Sequence, residues 1–248
     1  MKSNSETGHA KNAANFNVML SYCTGYDGAY NPSNVNLQLI TLNRIQTQSQ
    51  NAVKAVNAAL PPYNKAVAAR EEVFKPLGKF ITRVINALKA SGVTAEIEEK
   101  AVSYVRKLRG RRASAKLTEE EKQALTEQGK EHNEISASQL SYDNQIDNFD
   151  KFINLLTSLP EYNPNEKDLK IANLNIKLKD LKAKNTAVID AATPLSNARI
   201  ERNDILYKEG TGLVDTALNV KQYVKSVFGA GSPQFKQISG LEFRKYKI

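Results

Sequence analysis

Tryptophan is absent from this chain, cysteine occurs once, at Cys23, and histidine twice, at His9 and His132. Each scarcity excludes something. A lone cysteine cannot close an intramolecular disulfide, so the thiol content gives no argument for an oxidising compartment. Two distant histidines cannot supply the His pair of a zinc-protease helix, nor the Glu-x-x-His pairs of a di-metal bundle. The carboxylates Glu134, Asp143, Asp147 and Asp150 are therefore expected to be solvated, and no metal or cofactor is expected. Uncharged apolar runs of about 18 residues are also missing, which removes a membrane-spanning helix. The opening Met1–His9 is polar and leads into no apolar signal core, so the expected location is the cytoplasm.

What remains suits helices. The chain has 248 residues, 41% of them hydrophobic and 7% aromatic, enough to bury a core. Ala, Asn, Lys, Leu and Glu dominate, and such a composition favours helix over sheet.

A repeat organises the sequence. Tyr30-Asn31-Pro32 returns as Tyr162-Asn163-Pro164, and residues 30–91 align with 162–223 at a constant offset of 132 with 14 identities. Among these are Leu37/Leu169, Leu42-Asn43/Leu174-Asn175, Pro62/Pro194, Ala66/Ala198, Arg70/Arg202 and Gly78/Gly210. Repeats of this kind fix architecture before any local reading. From Leu39 to Leu88 apolar positions recur in steps of three and four, and from Ile171 to Val220 they do so again, the spacing of an amphipathic helix. Pro61-Pro62 predicts a kink or break near 60–62, and Pro76 another near 75–78. At about 1.5 Å per residue such units are long enough to be rods.

Shorter helices are predicted between the copies: one from Thr94 to about Arg109, one opening on the capping box Thr118-Glu119-Glu120-Glu121, and one over Tyr142–Leu156. Gly229–Pro233 ends the last helix, and the tail is expected to strap back through Phe235, Ile238, Leu241 and Phe243. The sequence thus reads as an all-α, elongated helical bundle built from two duplicated, kinked long-helix units with shorter helices inserted between them. Its expected divisions are a flexible polar arm (1–29), a first repeat with its following helix (30–109), a basic loop and acidic helical insert (110–161), a second repeat (162–228) and a tail strap (229–248). Residues 30–248 would form one structural domain.

Charge is layered along the chain. The net formal charge is +9; Lys and Arg outnumber Asp and Glu by 17 to 7 over 1–116 and by 14 to 7 over 169–248, while over 117–168 the balance is 4 to 12. The densest cluster is Arg106, Lys107, Arg109, Arg111, Arg112 and Lys116. A phosphate backbone binds such a cluster through charge alone; the competing readings are a complemented helix C-terminus and a solvated loop. Arg70 and Arg202, equivalent in the two copies, are candidates for a shared anion pocket, or else pair with the nearby Glu71, Glu72, Glu201 and Asp204. Cys23 has no base beside it in sequence and reads as a buried thiol.

The stretch Ser136–Gln139 through Asn148–Ile153, followed by Tyr162-Asn163-Pro164-Asn165-Glu166, resembles uncharacterised all-helical proteins of Bacteroidota-type bacteria. That resemblance implies a bacterial cytoplasmic setting and no activity, cofactor or catalytic residue. The expected function is a non-enzymatic helical scaffold or interaction protein, with a protein partner or self-association and no evident small-molecule substrate. The alternative is a basic protein bound to nucleic acid or the ribosome.

Overall fold

The computed structural model describes residues 6–110 and 141–246. Within them the chain is all-helical, without a strand. The helices are α1 (Thr7–Gly25), α2 (Leu39–Phe74), α3 (Leu77–Lys89), α4 (Ala95–Leu108), α5 (Tyr142–Thr157), α6 (Ile171–Tyr207), α7 (Leu213–Phe228) and α8 (Pro233–Ser239), with 3-10 turns at Asp27–Ala29, Val35–Leu37 and Lys167–Leu169. The helix start expected at Thr118 lies outside the described residues, as does His132.

Two compact units divide the chain, residues 1–64 with 191–248 and residues 65–190. Both cuts fall inside the long helices α2 and α6. The first unit has a core of Phe16, Met19, Cys23, Leu42, Leu206, Leu213, Val220 and Ile238 with their neighbours. In the second, Phe74, Ile81, Leu88, Val105, Phe149, Phe152, Leu174 and Leu181 anchor a separate core. The periodic apolar positions from Leu39 to Leu88 and from Ile171 to Val220 are all buried or half-buried.

The polar N-terminal arm needs correction. Thr7–Gly25 is helical, and Asn12, Ala13, Phe16, Met19, Leu20 and Cys23 are buried. Ala13, Phe16, Leu20 and Cys23 do recur in steps of three and four, but Ala10, Ala14 and Val18 place apolar side chains on other faces and blur that stripe. Its buried apolar set recurs in α5, where Ile146, Phe149, Phe152, Ile153 and Leu156 stand 133 residues after Ala13, Phe16, Met19, Leu20 and Cys23.

Of the kink or break expected at 60–62, a break does not occur. α2 runs unbroken through Pro61 and Pro62, and both are exposed, as are Asn57 and Ala58 whose carbonyls lose their donors. Water can satisfy those carbonyls, which lowers the cost of interior proline. The chain breaks at Lys75-Pro76 instead, where Pro76 opens α3 at a position that needs no backbone donor. Between α6 and α7 the break is longer: Gly210 takes φ 73°, and a Cβ on Gly212 would stand 2.6 Å from Lys208 N.

At the head of each long helix the chain repeats its local construction. Tyr30 Oη donates to Leu37 O at 2.7 Å, and Tyr162 Oη to Leu169 O at 2.9 Å. Thr41 Oγ1 donates to Val35 O at 2.8 Å, and Asn173 Nδ2 to Lys167 O at 2.6 Å. Asn43 and Asn175 each bond the carbonyl four residues back, of Leu39 and Ile171. The tyrosine hydroxyl thus pins a 3-10 turn ahead of the helix in both places, satisfying a carbonyl that burial would otherwise orphan.

Candidate functional site

Of the basic cluster, Arg106, Lys107 and Arg109 are described, at the end of α4; Arg111, Arg112 and Lys116 lie outside the described residues. All three are half-buried, and two serve the fold. Arg109 Nη2 donates to Thr82 Oγ1, tying the end of α4 to α3, and Arg106 Nη2 reaches Ser103 Oγ at 3.5 Å. Cations in the last turn of α4 also complement its dipole.

Arg70 and Arg202 belong to different units, and each has its own partners. Arg202 is buried; its Nη1 donates to Glu6 Oε2, while Nε and Nη2 donate to Asn203 Oδ1 at 3.1 and 2.8 Å. Arg199 Nε meets the other Glu6 oxygen at 3.3 Å. Arg70 stacks 3.9 Å over the Tyr142 ring, and its Nη1 donates to Asn185 Oδ1 at 3.1 Å. Sequence neighbours were expected to pair with these arginines; the carboxylate that holds Arg202 comes from far away, at the start of α1.

Beside that ion pair His9 Nδ1 and Tyr207 Oη share a 2.6 Å hydrogen bond, and the His9 ring leans on Tyr246 at 5.2 Å. Burial, then the Arg202 charge, depresses the His9 pKa below its ordinary value, so the ring is neutral at pH 7. Burial pushes Tyr207 up to about 12. Asn12 closes the cluster by donating to Arg244 O at 2.8 Å and accepting from Arg244 N at 3.1 Å. A buried amide that pairs with a backbone in both directions is a strap, and Ile238, Phe235, Leu241 and Phe243 complete it on the same core. Cys23 lies in this unit as well, with its thiol pushed up to about 12 by burial, so it is protonated and unreactive.

Among the described residues, each unit carries a depression on its surface. In the first unit a groove of about 510 Å³ runs between α1 and α2, walled by Ala10, Ala13, Ala14 and Val18 on one side and Gln50, Val53 and Lys54 on the other. Its counterpart between α5 and α6 is crossed by side chains: Lys182 Nζ meets Asp150 at 2.7 Å, and Asn185 Nδ2 donates to Asp143 at 2.8 Å. In the second unit a cavity of about 580 Å³ opens between α3 and the Tyr162-Asn163-Pro164 loop, lined by Ser91, Tyr162, Asn163, Glu161, Glu166 and Arg83, among others. Sequence reasoning missed it, although the alignment of Ser91 with Tyr223 was a signal of unequal bulk at one repeat position.

Among the described residues no group of three or more His, Cys, Asp and Glu could hold a metal, and no helix is long and apolar enough to cross a membrane. Compared with known proteins, the chain matches no family model, no curated protein and no solved structure.

Proposed function

We propose that the chain is a non-enzymatic helical scaffold, built on the duplicated segments 30–91 and 162–223, which binds a partner helix. The observation that carries this reading is the groove between α1 and α2. Ala10, Ala13 and Ala14 give it one wall of short side chains, Asn17, Gln50 and the cation Lys54 are its polar lining, and Val18 is 40% exposed beside it. Alanine walls let a helix approach closely, the arrangement by which an amphipathic helix lays its apolar face into a groove. Isolated apolar side chains outside it, such as Ile40 at 79% exposure and Ile200 at 66%, are ordinary for a protein surface and add nothing.

The test is a pull-down with the intact chain at low and high salt, with nuclease added to a parallel sample, alongside an Ala14→Arg variant. Ala14 is exposed on α1, so the arginine blocks the groove and leaves the helix intact. Protein recovered with wild type at high salt and lost with Ala14→Arg supports the reading. Equal recovery with both forms contradicts it.

A second reading, binding to nucleic acid, is favoured by the basic balance of the chain and by Arg106 and Lys107 at the end of α4. It predicts recovery that nuclease abolishes and salt weakens steeply. Lys107→Glu is a cleaner probe than reversal of Arg109, which also holds α3.

A further inference from the structure

We propose that the cavity of the second unit is a binding site for a phenol ring carrying a cationic arm. The first unit shows what the place is shaped for. There Tyr223, on α7, sets its ring edge-on to Tyr30 with centroids 5.3 Å apart and planes at 88°, and its Oη accepts from Asn31 N at 3.1 Å. Moving 132 residues, Tyr223, Tyr30 and Asn31 correspond to Ser91, Tyr162 and Asn163, and all three of those line the cavity.

The surroundings correspond as well. Ile81, Val84, Ile85 and Leu88 of α3 are buried, as are Leu213, Thr216, Ala217 and Val220 of α7, each at the same offset. α3 packs on the 3-10 turn Lys167–Leu169 just as α7 packs on Val35–Leu37. The tyrosine bond that pins this turn is common to both units. What differs is the side chain that fills the space. Ser91 is too short to reach the loop, and its hydroxyl turns back to Leu88 O at 2.7 Å. The Asn163 amide, lacking a ring oxygen, donates to Glu161 O at 3.0 Å.

An aromatic ring is thus the occupant of the corresponding place in the first unit, where Tyr223 stands within α7; in the second, α3 ends at Lys89, Ser91 lies in the turn beyond it, and Tyr162 lines the space as Tyr30 does for Tyr223. The cationic arm follows from the rim. Glu161 and Glu166 line the cavity, and its one lining cation, Arg83, is held by Asp168 at 2.5 Å. The surplus charge is negative, which favours an amine and disfavours a carboxylate on the ligand. Such chemistry has two sources, a small aryl amine or a tyrosine flanked by basic residues.

The test is a titration of the intact, isotope-labelled chain with tyramine, followed by NMR at the Ser91 and Asn163 amides; it uses no protein partner and so stands apart from the scaffold reading. Saturable shifts with a Kd on the order of 0.1–1 mM are expected for a ligand of this size. Ser91→Tyr fills the site and weakens binding by about tenfold or more, Ser91→Ala leaves it intact, and 3-(4-hydroxyphenyl)propionate binds about tenfold more weakly than tyramine. A Lys-Tyr-Lys peptide that binds more tightly than tyramine assigns the site to a protein tyrosine; tighter binding of tyramine assigns it to a small amine. Absence of saturable shifts at both amides in the wild-type chain overturns the proposal, and so does Ser91→Tyr titrating like wild type.

Discussion

The two units use one local plan and finish it differently. Each has a tyrosine-pinned turn ahead of a long helix, a preceding helix with the same buried apolar pattern, and, packed on the turn, the helix that follows the other long helix. The first unit fills the space behind its turn with Tyr223 and leaves the groove beside α1 open. In the second the groove is bridged by Lys182–Asp150 and Asn185–Asp143, and the space behind the turn is empty. Packing that defines the fold is kept in both units, while surface depressions trade places, which is where binding can diverge without loss of stability.

Deleting equivalent core rings is the strongest challenge to this parallel. Phe16→Ala and Phe149→Ala each remove a fully buried ring 133 residues apart, and each is expected to cost about 3–5 kcal/mol in urea unfolding. A cost near zero for Phe16→Ala would return α1 to the status of a loose arm. Next come the arginines, where the units should differ. Arg202→Met removes one of the two arginines on Glu6 and leaves Arg199, with an expected cost of about 2 kcal/mol, whereas Arg70→Met loses a stacked, half-buried cation worth about 1 kcal/mol. Equal losses would erase the distinction.

Alkaline pH sharpens the contrast by titration. Cys23 is raised from 9.0 to about 12, and Tyr26 and Tyr207 from 10.0 to about 12, all in the first unit; in the second, Tyr162 is raised likewise. A raised acid pKa means that the folded state holds its proton more tightly, so the stabilisation is complete below the unfolded pKa and is lost as pH climbs toward the folded one. Stability should therefore decline from about pH 9 to about 12, and amide exchange in α1 should rise before that in α5. The smallest effect belongs to the bridge over the second groove: Lys182→Gln, the residue at the matching position in α2, should cost under about 1 kcal/mol because the pair is half-exposed.

How far the sequence foretold this structure depends on which force selected each element. The stripes of α2, α3, α6 and α7 were legible because amphipathic periodicity selects them, and α5 was legible from the steps between Tyr142 and Leu156. α1 was not, although Ala13, Phe16, Leu20 and Cys23 have the same spacing as their α5 counterparts, because apolar Ala10, Ala14 and Val18 on its other faces and the surrounding Asn, Ser, Gly and Thr hid the stripe. At Pro61-Pro62 the choice between kink and break was open in the sequence, because the cost of proline depends on whether the orphaned carbonyls face water; the helix is unbroken there. Of the candidate residues, Arg70 and Arg202 were singled out by their repeat position, but their partners Glu6, Tyr142 and Asn185 are distant in sequence. The cavity was visible only as the mismatch of Ser91 with Tyr223, which gains meaning once both residues are seen behind the same turn.

The common plan is tested most directly by Tyr30→Phe and Tyr162→Phe, compared in parallel by urea unfolding. Each change deletes one hydroxyl and orphans one carbonyl, of Leu37 or Leu169. Losses of about 1–2 kcal/mol in each, agreeing within about 0.5 kcal/mol, are expected if the two turns are held alike; a loss in one variant and none in the other would show that they are not.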